Sequence, residues 1–122
     1  MTFDTVRKIA LALDEVEEAS SYGAPAFKVR GMMIARLREE IGALVLRIPS
    51  IDDRGEMMAA DPETYFITDH YLNYPYILVN LARIQPEAVR DLLRAAWRVA
   101  MTEKRAAKKR TGRGKLGGNS PR

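Results

Sequence analysis

Hydrophobic residues near both ends of the chain recur at steps of three and four, the spacing of one face of an α-helix. The hydrophobic stripe nearer the C-terminus begins at Pro86, a residue suited to a helix start, and runs to about Met101. The pattern therefore predicts an amphipathic helix at each end of a folded body. In the first helix, over residues 2–13, the apolar face comprises Phe3, Val6, Ile9, Ala10 and Leu13.

Between these helices, apolar and polar residues alternate with period two, which is typical of strands with one buried face. A short strand is predicted to end near Tyr22, followed by an antiparallel meander over residues 27–30, 33–38 and 43–48. A short helix that starts at residues 52–54, runs through Met57 and Met58 and ends before Pro62 comes next, and two strands at 65–68 and 76–81 follow. This order of elements predicts an α+β fold.

The alternation also assigns the meander residues to two faces of the sheet. The face toward the core is predicted to hold Phe27, Val29, Met33, Ala35, Leu37, Leu44, Leu46 and Ile48. The opposite face would then carry five bases and no acid: Lys28, Arg30, Arg36, Arg38 and Arg47.

Charge divides the chain into two parts. All sixteen acidic residues lie at or before Glu103, whereas the last nineteen residues contain eight Lys or Arg and no acid. The body therefore has a formal charge of −4 and the tail one of +8. We expect a single domain at residues 1–103 and a basic, Gly-rich tail at residues 104–122, disordered from about Arg110 onward when alone.

The composition excludes several classes of site. The chain has no cysteine and a single histidine, His70, which rules out a thiol nucleophile, an iron–sulfur site, a zinc knuckle and a disulfide scaffold. No apolar stretch approaches the roughly twenty residues of a membrane span, and the first residues lack a basic region followed by an apolar run. We therefore expect neither membrane insertion nor secretion. We expect a cytoplasmic protein, most simply a monomer, without cofactor, metal or membrane contact.

Residues 69–75 form the most aromatic segment of the chain. Asp69 beside His70 fits a general base, but adjacent loop residues usually point apart and no second catalytic group accompanies them. We therefore do not expect an enzyme, and we interpret the acidic run at residues 14–18 as a solvated turn, not a cation site. A groove for a peptide or small molecule is the main alternative function, formed by Tyr22, Phe27, His70, Tyr71 and Tyr74.

Three motifs resemble those of the MmcQ/YjbR family of small bacterial proteins: SYGAPAFKV at residues 21–29, the Thr68–Tyr71 segment with Tyr74 and Pro75, and Ala95–Trp97. The resemblance covers nearly the whole body but not the tail. It implies helices packed on one face of a curved antiparallel sheet, with one short helix inserted after the meander, related in shape to frataxin-like and secretion-chaperone-like domains. The family is commonly labelled DNA-binding, without a general catalytic or binding motif to transfer.

Taken together, these observations favour a non-catalytic protein that binds duplex DNA without sequence preference. The basic side chains can neutralise phosphates. No aromatic residues lie between the Lys and Arg residues of the predicted sheet face, so stacking on unpaired nucleotides is not expected and contact with a duplex backbone is favoured. The contacts are assigned to the sheet-face bases and to the tail residues Lys104, Arg105, Lys108, Lys109 and Arg110.

Overall fold

The computed structural model describes the backbone of residues 1–114 and the side chains of residues 1–103. Within this part, the α+β prediction is confirmed. Short 3-10 turns at Glu39–Ile41, Ile51–Asp53 and Asp69–Tyr71 connect the elements. In chain order, the elements are α1 (Phe3–Leu11), β1 (Val16–Ser21), β2 (Ala24–Val29), β3 (Met32–Arg38), β4 (Ala43–Arg47), α2 (Arg54–Ala60), β5 (Tyr65–Phe66), β6 (Tyr76–Asn80) and α3 (Pro86–Gly114).

The described strands form one open sheet in the order β1-β2-β3-β4-β6-β5, and every neighbouring pair is antiparallel. The first four strands are the predicted meander together with the strand before it. β6 then returns beside β4, which leaves the short β5 at the edge. The strand predicted at residues 65–68 ends at Phe66, because the chain leaves the sheet toward the Asp69–Tyr71 turn.

The main core lies between one face of this sheet and the two terminal helices. Val6 and Ala10 of α1 and Leu93 and Ala96 of α3 are fully buried in it. The helix α3 begins at the predicted Pro86 and continues to Gly114, past the end predicted near Met101. Predicted inward residues of the sheet that lie in or against this core are Phe27, Val29, Ala35, Leu37, Leu44, Leu46 and Ile48.

A β-bulge in β3 breaks the predicted alternation. The pairing of β2 with β3 shifts by one residue at this point, so Lys28 pairs with Met33 while Ile34 is the extra residue. As a result, Ile34 and its neighbour Ala35 are both fully buried, and Met32 packs against the core. The predicted inward orientation of Met33 is therefore wrong, since one inserted residue reverses the parity of the strand before it.

The opposite face of the sheet carries a second, smaller apolar cluster. Ala43, Val45 and Leu78 lie there, covered by the buried side chain of Tyr71. Phe66, Ile67 and Tyr76 pack around them. Tyr71 belongs to the aromatic segment at residues 69–75, which we call the aromatic loop. The sheet face that was expected to be cationic is thus partly covered by the aromatic loop, which follows β5.

Candidate functional site

Two of the five sheet-face bases meet acidic residues of β1 or of the turn before it. Lys28 of β2 lies directly opposite Glu17 of β1, which places their side chains on the same face. Arg30 is not on a strand but in the turn between β2 and β3, with a φ of 51°. Its guanidinium donates two hydrogen bonds, of 2.7 and 2.8 Å, to the Glu15 carboxylate.

Like Arg30, two further bases form ion pairs with carboxylates. Arg38 donates from Nε to Glu40 over 2.6 Å, and this hydrogen bond lowers the pKa of the Glu40 carboxyl from its usual value. Arg47 donates to Glu103 of α3 over 3.0 Å, and only 13% of its side chain is exposed. The predicted acid-free face is therefore wrong, because the tertiary structure brings in acids as far as 56 residues away in sequence.

Arg36 differs from Arg30, Arg38 and Arg47, which form ion pairs. Within residues 1–103, no carboxylate lies at ion-pair distance from it. Its Nε donates to the carbonyl oxygen of Ser21 and its Nη1 to the hydroxyl of Tyr71, each over 3.1 Å. The guanidinium also lies 5.4 Å from the ring centroid of Tyr22, in a cation–π contact. Arg36 is thus held in place by neutral groups.

The five residues predicted to line an aromatic groove do not share one surface. Phe27 is fully buried in the main core and stacks on Phe3, with 5.5 Å between ring centroids. Tyr71 is only 5% exposed, whereas 92% of Tyr22 and 58% of Tyr74 are accessible. The assignment of Phe27 to a groove is wrong, because its strand position faces the helices.

Tyr22 and His70 do border a common cleft of about 620 Å³. The cleft lies on the face opposite the helices, between the β1–β2 turn, the outer side of β3 and the start of the aromatic loop. Residues that line it are Tyr22, Arg36, Arg38, Glu40, Ile41, Thr68, Asp69 and His70. The structure therefore combines two of the predicted bases with two of the predicted groove residues.

His70 contacts Tyr71 edge to face, with 4.7 Å between ring centroids. In the part of the chain with described side chains, no three His, Asp or Glu residues lie close enough to hold a metal ion. The acidic run at residues 14–18 contributes instead to ion pairs: Glu15 binds Arg30, and Glu18 binds Arg7 over 2.8 Å.

The buried guanidinium of Arg54 organises the aromatic loop. Only 6% of this residue is exposed. It donates to four main-chain carbonyl oxygens, over distances of 2.7 to 3.2 Å, contributed by Tyr71, Leu72, Tyr74 and Tyr76. Sequence analysis overlooked Arg54, since a lone Arg at the start of a short helix carries no signal of burial.

A cationic groove between α1 and α3 was also missed. Lys8, Arg90 and Arg94 line a depression of about 300 Å³ whose remaining lining is Ile9, Ala12 and Leu13. No ion pair within residues 1–103 involves any of its three bases. The sequence signal was available, because Arg90 and Arg94 are one helical turn apart on the polar side of the predicted α3 stripe.

The tail bases predicted to contact DNA, from Lys104 to Arg110, have side chains outside the described residues, and the assignment stays a prediction. The described backbone continues α3 through residues 110–114, whereas the disorder predicted from about Arg110 onward stays a prediction for residues 115–122, which lie outside the described residues. Within the described residues, no helix combines the length and the apolar character required to cross a bilayer.

Comparison with known proteins identifies the family. The YjbR family model matches residues 11–99, a span that includes all three motifs noted in the sequence. The crystal structure of Deinococcus radiodurans protein DR2400, with the domain DUF419, has a similar fold, with a TM-score of 0.68 and 21% identity over 79% of this chain and 75% of that chain. No curated protein matches. Because the family model covers most of the sequence, the chain belongs to the YjbR family.

Proposed function

We propose that this protein binds duplex DNA without catalysis and without sequence preference, mainly through the cationic side of α3 and its basic continuation. The observation that carries this proposal is the groove of Lys8, Arg90 and Arg94, which has no carboxylate in its lining. Binding a phosphate there breaks no ion pair within the described residues. By contrast, Arg30, Arg38 and Arg47 of the sheet face would each have to release a carboxylate first.

The composition of α3 supports the same surface. The helix contains nine basic and three acidic residues, and six of the bases follow Glu103. Arg90 and Arg94 lie about 6 Å apart along the helix axis at a rise of 1.5 Å per residue. Duplex DNA carries one negative charge per roughly 1.7 Å of its axis, so successive cations along a helix can meet several phosphates.

The chemistry of the groove favours backbone contact over base recognition. Its lining offers guanidinium, ammonium and aliphatic groups, which neutralise phosphates at any sequence. Such binding is expected to be weak at physiological salt and strongly dependent on ionic strength.

The salt dependence of DNA binding tests this proposal. If about five phosphates are neutralised, affinity for a duplex should fall by roughly two to three orders of magnitude between about 50 and 200 mM salt. The double variant Arg90→Gln/Arg94→Gln should reduce the logarithmic salt slope by about 1.8, since each lost phosphate contact contributes about 0.9. Fluorescence anisotropy with a labelled duplex measures both quantities.

Two further variants distinguish the contributions of the cationic groove, the tail and the sheet face to DNA binding. A chain ending at Glu103 should retain weak binding with a smaller salt slope, because Lys8, Arg90 and Arg94 remain. The matched control is Arg30→Gln/Arg38→Gln, which removes two ion-paired bases and should leave the slope within about half a unit. A flat salt response would contradict DNA binding altogether, and complete loss on truncation would assign it to the tail alone.

A further inference from the structure

The cleft beside Tyr22 has features of a ligand site that DNA binding does not use. We propose that it binds a small planar organic acid with a single carboxylate, which places its carboxylate on Arg36 and its planar group against Tyr22. This proposal is independent of the cationic groove, because the cleft lies on the opposite face of the sheet.

Tyr22 is held in an unusual position for a large aromatic residue. Its φ of 52° lies in the left-handed region, followed by Gly23 at 78°, and 92% of the residue is exposed. A positive φ is unfavourable for a bulky residue, and Tyr22 recovers little of this strain by burial. Its ring instead borders the cleft and offers an aromatic face to an occupant.

Arg36 is oriented before any ligand arrives. Its Nε and Nη1 each make one hydrogen bond, to Ser21 and to Tyr71. The guanidinium has five N–H groups, so three of them have no acceptor among the described residues. A carboxylate can accept two parallel hydrogen bonds from such a fork, and the fixed orientation reduces the entropy lost on binding.

Thr68 in the wall of the cleft supplies a further donor. Its Oγ1 is shielded from solvent and has no hydrogen-bond partner in the described residues. A buried hydroxyl without a partner is unfavourable. Rotation of this side chain toward an occupant would form the missing hydrogen bond.

The charge balance of the lining selects the class of acid. Glu40 is tied to Arg38, and Asp69 adds a second carboxylate to the wall. These carboxylates repel a doubly charged phosphate more strongly than a single carboxylate. The exposed ring of Tyr22 favours a planar group behind that carboxylate, since planar groups stack favourably on aromatic rings.

Titration of the full chain with cinnamate, followed by amide chemical shifts in NMR, tests this site. Cinnamate should shift resonances of the cleft residues with saturation. Neutral cinnamamide should bind at least about tenfold more weakly, because it loses the charge-assisted hydrogen bonds to Arg36. Inorganic phosphate should also bind at least about tenfold more weakly, because it has no planar group for Tyr22 and is repelled by the carboxylates of the lining. Arg36→Gln should weaken cinnamate binding by about tenfold or more, and Tyr22→Ala by roughly two- to tenfold.

The matched control is Lys28→Gln, which removes a base of the same sheet outside the cleft lining and should leave the affinity within about twofold. The proposal is overturned if cinnamate shifts no cleft resonance, if phosphate or cinnamamide binds as tightly, or if folded Arg36→Gln binds as well as the original chain. Should Arg36→Gln fail to fold, Tyr22→Ala decides the question, because its side chain is almost fully exposed; unchanged affinity in that variant overturns the proposal.

Discussion

Replacing Arg54 by Ala should lower the free energy of unfolding by about 3–5 kcal/mol. Its guanidinium is buried and donates to four main-chain carbonyl oxygens, three through Nη1 and one through Nη2. The substitution removes the Arg54 donor from all four acceptors, although the carbonyls of Tyr71 and Tyr74 each keep a main-chain amide donor. A hydrogen bond from a charged donor contributes about 1.5–3 kcal/mol, so the loss of several of them accounts for the expected change. Urea unfolding followed by circular dichroism measures the change.

Arg54→Lys and Arg83→Ala provide the comparison. Lysine keeps the charge but lacks the planar fork of donors, so we expect an intermediate loss of about 1–3 kcal/mol. Arg83 is more than half exposed and pairs with Glu63 over 2.7 Å, and its replacement should change stability by at most about 0.5 kcal/mol. Equal losses for Arg54→Ala and Arg83→Ala would show that Arg54 does not hold the aromatic loop.

Replacing Phe27 by Ala should also destabilise the fold, by about 3–5 kcal/mol. Phe27 is fully buried and stacks on Phe3 of α1, so truncation removes apolar contacts and leaves a cavity between helix and sheet. A loss of this size would show that Phe27 is a core residue and not, as the sequence had indicated, part of a ligand groove. Thermal and urea unfolding of the variant measure the loss.

Tyr22→Ala is the matched control for Phe27→Ala, because both remove an aromatic ring from the same sequence motif. Tyr22 is 92% exposed, and its loss should change stability by no more than about 0.5 kcal/mol. If Phe27→Ala were as stable as Tyr22→Ala, the assignment of Phe27 to the core would be wrong.

The helices and most strands were predictable because their signals are local. Apolar steps of three and four marked Val6 and Ala10 in α1 and Leu93 in α3, and all three are buried. Alternation correctly placed Leu44 and Leu46 toward the same core. Met33 was placed on the wrong face, since a bulge depends on how β3 pairs with its neighbour and leaves no mark in the alternation itself.

The candidate sites were less predictable, because alternation along the chain does not show which groups a side chain contacts. Alternation indicated that Arg36 and Arg38 share the outer face of β3, but it could not show that Glu40 neutralises one and that Tyr71 and Ser21 hold the other. The cationic groove likewise requires Lys8 of α1 to meet Arg90 of α3. Only packing of the two helices determines that contact.

Sequence periodicity by itself determined the fold class and where both terminal helices begin, because these follow from neighbours within a few residues. The distribution of charged residues separated a basic C-terminal segment from an acidic body. Tertiary structure alone decided which cations are neutralised, that Arg54 anchors the aromatic loop, and that Tyr22 and Arg36 border one cleft. These outcomes depend on strand register and helix packing, which join charges and hydrogen-bonding groups 15 to 56 residues apart.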